Sequence, residues 1–304
     1  MILEPERVFP LKPGSPVPGE HVLYWMQHAQ RARENPALEH AAWEAARLRL
    51  PLVVLFVLSS FPSATVVHYR FLLKGLAQTA GAIEDRGALF VLRRGDPPKV
   101  ASELSRAASL AICDAGWTRP EAAWRRAFAD ASACPVLRVD GEAVVPVESA
   151  SGKLEWSAFT LRRKVEGAVT AYTSRVPPTV DLPRDARGLD IESRKDLLDF
   201  GEGPVSPEYP GDRIPEQVSL PPPGTSAAKA RFEAFLENSL DSYDGDRNDP
   251  NLAGTSGMSP YLHFGQISPV FLAREVLKQG GPGAAPFIEQ LVVRRELSMN
   301  LVRY

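Results

Sequence analysis

The run Leu52–Leu58, LVVLFVL, constrains the chain more than any other stretch. It has no polar face, so a strand here must be covered on both sides, as in the middle of a parallel sheet. Apolar runs recur at His21–Met26, Ala88–Leu92, Ser109–Cys113 and Val136–Val139. Helical signals lie between them. Asn35-Pro36 has the form of a cap followed by a first-turn proline and predicts a helix to about Arg49. Phe71, Leu72, Leu76 and Ile83 repeat at helical spacing within Thr65–Arg86, and Gly87 is a stop. Gly95-Asp96-Pro97 opens a helix ending near Ala107, and Thr118-Arg119-Pro120-Glu121 has capping-box spacing for a helix to about Asp130. Strands alternating with helices of this length imply βαβ units in a doubly wound parallel sheet, with ligands beyond the carboxyl ends of the strands. No GxGxxG or Walker pattern is present.

The flanks read differently. Residues 1–20 carry Pro10, Pro13, Pro16 and Pro18 and predict an extended arm, with His21–Met26 as the first strand. Trp156–Tyr172 predicts a helix whose Arg162, Arg163 and Lys164 form a solvated basic face. Ten of the 28 prolines fall between Val176 and Gly224, which reads as a surface linker with one short helix near Ser193–Phe200. The expected division is therefore 1–175, a linker at 176–224, and an all-α unit from 225 to 304. In that unit Thr225 or Ser226 caps a helix carrying Phe232, Phe235, Leu236 and Leu240. Ser268-Pro269 starts another, stopped by Gly280-Gly281, and Pro286 opens the last.

Composition narrows function by exclusion. The formal net charge of -2 gives no global attraction to nucleic acid, so such contact needs a local basic patch. Cys113 and Cys134 show neither metal spacing nor a disulfide framework, so a reducing cytoplasm is expected and a metal is not. The N-terminus lacks signal-peptide character, and the longest apolar run, Leu50–Leu58, is too short to span a bilayer.

The stretch Tyr243–Gly265, YDGDRNDPNLAGTSGMSPYLHFG, carries the chemistry. Ser259 followed by Pro260 reads as an N-cap and a first helical residue. Free N–H groups there, with hydroxyls on Thr255, Ser256 and Ser259, suit an anion, and Gly257 allows the backbone a close approach. Tyr243 can close the site from the preceding helix end. The alternative is an ordinary capped turn between two helices.

Five collinear segments resemble the class II cyclobutane pyrimidine dimer photolyases: LYWMQ at Leu23–Gln27, HYRFLLKGL at His68–Leu76, LRRGDP at Leu92–Pro97, the RNDP…SGMSPYLHFGQ loop, and FIEQLVVRREL at Phe287–Leu297. The resemblance implies a Rossmann-like α/β domain followed by the first part of an all-α FAD-binding domain. It implies light-driven repair, in which reduced FAD passes an electron to a pyrimidine dimer in damaged DNA and the protein supplies binding and electrostatics. A second, antenna chromophore of unknown identity is implied in the first domain. By position, Tyr243, Thr255, Ser256, Gly257, Met258, Ser259 and Arg294 are expected at the cofactor. Arg247, Asn248, Gln290 and Arg295 are expected at DNA or the lesion, with Gln290 as the catalytic position. Arg247 is otherwise an exposed turn residue, and Arg294 and Arg295 otherwise pair with Glu289 and Glu296 on a helix face. An acidic residue stands at the position of Gln290 in several relatives, and an amide can donate a hydrogen bond but not a proton. Family members continue past the VRREL helix, whereas this chain stops at Tyr304 and places all its tryptophans, the last being Trp156, ahead of the second domain. The expectation is thus a monomeric, C-terminally shortened photolyase. A cryptochrome-like photosensor and an inactive truncated photolyase are the alternatives.

Overall fold

Residues 2–61, 64–182, 184–199 and 220–304 are described in a computed structural model of the chain. Six strands form one sheet: β1 (Val8–Lys12), β2 (His21–Met26), β3 (Leu52–Leu58), β4 (Leu89–Arg94), β5 (Ala108–Asp114) and β6 (Val136–Val139). Their order is β1-β6-β5-β2-β3-β4; β1 is antiparallel to β6 and all other pairs are parallel. Strand order reverses between β2 and β5, the point beside which such sheets bind ligands.

The uninterrupted apolar strands divide by parity. Leu52, Val54, Phe56 and Leu58 pack on one face under α1 (Pro36–Leu48) and α2 (Val66–Glu84). Val53, Leu55 and Val57 pack on the other, under α3 (Pro97–Ser105) and α4 (Arg119–Ala131). Local signals start these helices where the sequence predicts. The Asn35 side chain accepts from the Leu38 N–H at 3.1 Å, and Thr118 and Glu121 form a reciprocal capping box.

The N-terminal arm departs from expectation. It contains strand β1, with Pro10 tolerated because β1 is an edge. Buried Arg7 anchors it by donating to the carbonyls of Asp140 and Ala143 (3.0 Å each) and Val144 (2.8 Å).

A second core is helical. After the short α5 (Val147–Ala150) comes α6 (Ala158–Thr173). Beyond the Pro-rich stretch follow α7 (Thr225–Asn238), α8 (Tyr243–Asp246), α9 (Ser259–His263), α10 (Pro269–Gln279) and α11 (Ala284–Ile288). The last helix continues through a π-helical turn, Glu289–Arg294, into α12 (Arg295–Arg303). Leu161, Val165 and Val169 of α6 join Phe232, Phe235, Tyr261, Leu272 and Phe287 in this core, as does Phe71 of α2. Two boundaries shift. Gly224, not Thr225 or Ser226, is the cap of α7, because the Thr225 hydroxyl donates instead to the Gln266 carbonyl at 2.8 Å. The last helix starts at Ala284, ahead of Pro286. The short helix expected near Ser193 is a 3-10 turn, Lys195–Asp199; Phe200 and most of the linker's second half lie outside the described residues.

Candidate functional site

A cavity of about 800 Å³ opens where the Tyr243–Gly265 loop meets the last helix. Tyr243, Ser256, Met258 and Ser259 line it from the loop, and Phe287, Gln290, Leu291 and Arg295 line it from the helix. Its size and mostly apolar wall with a few polar groups are typical of cofactor sites. Tyr243 is buried and packs edge-on against Phe235 and Phe287, at ring-centroid distances of 5.6 Å each. Gly257 has φ +65°, and a Cβ there would fall 2.2 Å from Nε of Arg231, which itself donates to the Ser256 carbonyl. The turn thus favours glycine for its left-handed backbone, and the Arg231 guanidinium fills the space a side chain would take.

The loop's other residues are placed as follows. Thr255 and Ser259 are exposed, and Ser259 is the first residue of α9 with Met258 as its cap, one position earlier than the predicted cap. Arg247 pairs with Asp244 at 3.3 Å and its guanidinium lies 6.0 Å from the Tyr243 ring centroid, while Asn248 is exposed. Neither lines the cavity. Arg294, expected at the cofactor, is turned outward with 59% of its side chain exposed and sits 3.3 Å from Glu289. Arg295, expected at DNA, is the arginine that faces the cavity. Burial lowers its pKa from the ordinary arginine value, and Nη1 donates to the Glu142 carbonyl at 2.7 Å.

A second cavity of about 460 Å³ lies at the carboxyl ends of β2 and β3, lined by Met26, Gln27, Leu58, Tyr69, Trp124 and Phe264 among others. Both side-chain polar atoms of Gln27 are buried without a protein partner. His28, Thr118 and His263 line both cavities and so form the wall between them.

This wall was not visible to sequence reasoning. The His28 Nδ1 lies 3.1 Å from Glu121 and its Nε2 3.5 Å from Glu142. Burial opposes a charge on His28, but Glu121 and Glu142 outweigh it and push the imidazole up to about 9. Glu121 is itself held down to about 2: burial acts against ionisation, and the His28 imidazolium and the Thr118 cap overcome it. Glu142 also pairs with fully buried Arg31 at 3.0 Å. Arg31 donates further to the carbonyls of Gly141 and Gly265, both at 3.0 Å. A Cβ at Gly265, φ +64°, would come within 1.8 Å of the His28 carbonyl oxygen. The loop's last glycine is therefore where the α/β and helical parts touch. The single signal available beforehand was that glycine, at the end of the HFG run.

Residues 22–179 match the family described as DNA photolyase. The chain belongs to that family. A deoxyribodipyrimidine photo-lyase from Methanothermobacter thermautotrophicus is 39% identical over 291 residues, covering 94% of this chain and 62% of the relative. The chain thus spans somewhat under two thirds of that photolyase's length. Among solved structures, a bacterial class III photolyase from Agrobacterium tumefaciens superposes with TM-score 0.70 at 19% identity, over 96% of this chain and 61% of the other. An archaeal photolyase from Sulfolobus tokodaii with two FAD molecules superposes with TM-score 0.66 at 15% identity, over 89% and 57%. At these identities the superpositions establish the photolyase fold, a six-stranded α/β unit followed by helices.

Proposed function

We propose that the chain serves light-dependent DNA repair of the class II type, with reduced FAD in the 800 Å³ cavity and a pyrimidine dimer of damaged DNA as substrate. The carrying observation is that one cavity gathers the loop residues Tyr243, Ser256, Met258 and Ser259 with Gln290 and Arg295 of the last helix. That set suits a flat ring system with an anionic tail: apolar Phe287, Leu262 and Met299, hydroxyls, and two arginines, Arg119 and Arg295. Bound reduced flavin would supply the excited electron that splits the dimer and is then returned.

The chain's residues bind and orient. Thr255 to Ser259 cradle the diphosphate through hydroxyls and backbone, with Gly257 providing the close approach. Arg295 places a fixed positive charge beside the cofactor. Gln290 donates an amide N–H to a pyrimidine carbonyl and holds the lesion without transferring a proton. Arg247 and Asn248, at the surface beside Tyr243, face the DNA from which the dimer is turned out. That turning-out costs a few kcal/mol, and least for a damaged, poorly stacked pair. The 460 Å³ cavity would hold a second chromophore, to which the unpartnered Gln27 amide could hydrogen-bond. The reading includes a monomer acting in the cytoplasm. No helix among the described residues is long and apolar enough to cross a membrane.

The absence of a proton donor at Gln290 favours one second reading, a flavin photosensor without repair. The test has two parts. Purified chain is mixed with FAD, desalted and its visible spectrum recorded; near-stoichiometric flavin is expected, and none would overturn the cofactor reading. An oligonucleotide bearing one thymine dimer is then illuminated with the reduced protein. Loss of the dimer in light but not in darkness is expected, and persistence of the dimer with flavin bound would leave the photosensor.

A further inference from the structure

The π-helical turn Glu289–Arg294 interrupts the last helix where it lines the cavity. Such turns insert one extra residue into a helical face and concentrate at functional sites. In an unbroken α-helix Arg294, seven residues beyond Phe287, would fall within about 20° of it and face the cavity. Arg295 would point well to one side. The observed register is the reverse. Phe287, Gln290 and Leu291 line the cavity, then Arg295, Ser298, Met299 and Val302, with the largely exposed Leu301 at its rim. The Arg295 N–H donates to the Gln290 carbonyl five residues back, and the Arg294 side chain meets Glu289, also five residues back, at 3.3 Å. Residues five apart in an α-helix lie roughly 140° apart around the axis and do not meet.

Both ends of the turn are held from outside. Arg162 of α6 grips Glu289 with two bonds, at 2.9 and 2.7 Å. Beyond the turn, Arg295 reaches the Glu142 carbonyl at 2.7 Å, and Glu296 accepts from the Val144 N–H at 2.5 Å. Nε and Nη2 of Arg295 have no hydrogen-bond partner among the described residues and are left for a ligand.

We propose that this π turn is a register device that selects Arg295 over Arg294 as the cation the last helix presents to the cavity and turns Arg294, paired with Glu289, onto the outer surface. The ligand it serves is an anionic one, which rests on the flavin reading above; the register itself does not.

The register is tested without any ligand. A Glu289→Cys/Arg294→Cys double variant is oxidised with a copper–phenanthroline catalyst in air, and bridging is read by mass spectrometry. In an α-helix five residues rise roughly 7.5 Å, beyond the ~7 Å that a disulfide spans. The π register predicts a bridge. A Ser298→Cys/Arg303→Cys pair, five apart within α12 and exposed, is the control and should stay reduced. No bridge at 289/294, or bridging of both pairs alike, would overturn the device. The native Cys113 and Cys134 are buried. FAD titration tests the selection: Arg295→Gln should weaken binding at least about tenfold and Arg295→Lys should restore most of it, since a charged hydrogen bond is lost and regained. Arg294→Gln should change affinity less than about twofold, as expected of an exposed pair. The opposite ranking would sink the selection. Failure of the unmodified chain to bind FAD would sink the flavin reading, while the cysteine pair still decides the register.

Discussion

Burial strips the proton from His21, and burial helped by the Arg47 charge does so at His40, each pushed down to about 4. His28 is desolvated too, yet Glu121 and Glu142 raise it to about 9. Its folded value lies above the ordinary 6.5, so the stabilisation is complete below about pH 6.5 and is lost as pH rises through 9. The shift corresponds to roughly 3 kcal/mol at most, counted once for the whole cluster and not again at Glu121. His28→Gln should therefore melt well below the unmodified chain at pH 6, and the gap should close toward pH 10. Thermal melts at half-unit pH steps measure this. A gap that stays constant across the range would mean that His28 contributes packing and not charge.

At the level of elements, Glu296 joins α12 to the segment after β6, where it accepts from the N–H groups of Val144 and Val145. Burial raises its carboxyl to about 8, against the pull of those N–H groups and of Arg295. The folded protein thus keeps a proton that the unfolded chain releases near pH 4.5, so stability falls as pH rises from about 4.5 to 8. Glu296→Gln keeps an acceptor for Val144 and cannot ionise. It should match the unmodified chain at pH 5 and exceed it at pH 9 by a few kcal/mol, on the order of 4 at most. Chemical denaturation at the two pH values decides it, and equal stabilities at pH 9 would refute the assignment. Sequence reading reached such elements unevenly. Asn35-Pro36, the Thr118–Glu121 box and Ser268-Pro269 were legible because each cap is satisfied within a few residues. Strand β1 was not, because Pro10 reads as a breaker until β6 supplies an edge for it. The π turn was invisible as well, since Arg294-Arg295 is one pattern of letters in either register. The gathering of Tyr243, Ser256 and Ser259 with Gln290 was legible only through family resemblance, as no local rule joins a loop to a helix 31 residues further on.

One amide reaches both cores of the molecule. Gln266 is fully buried and follows directly on Gly265. Its Oε1 accepts from the Gly224 N–H at 2.7 Å, and its Nε2 donates at 3.2 Å to the Phe71 carbonyl, 195 residues away in α2. A Cβ at Gly75 would come within 2.1 Å of that nitrogen, so α2 presents glycine where the amide arrives. HYRFLLKGL and HFGQ, two separate stretches in the sequence, are therefore two halves of one joint. Truncating Gln266 to alanine leaves the Gly224 donor buried and unpaired, costing about 1–3 kcal/mol, and takes a second partner from the Phe71 carbonyl, which keeps its bond within α2. Both halves of the joint bear on the α/β core and the helical core at once, because Phe71 belongs to α2 yet packs among the helical residues. Gln266→Ala should thus do more than lower the midpoint by the sum of two lost bonds. It should uncouple the cores, so that denaturant melts followed by tryptophan fluorescence, from five tryptophans that all precede α6, no longer coincide with melts followed by far-UV circular dichroism, which also reports the helical part. Gln266→Glu, which keeps an acceptor for Gly224 but meets the Phe71 carbonyl with no donor when ionised, should fall between the two at pH 7. Coincident single transitions for the alanine variant, merely shifted, would show that the two cores are joined by their apolar contact and that this amide adds stability without holding them together.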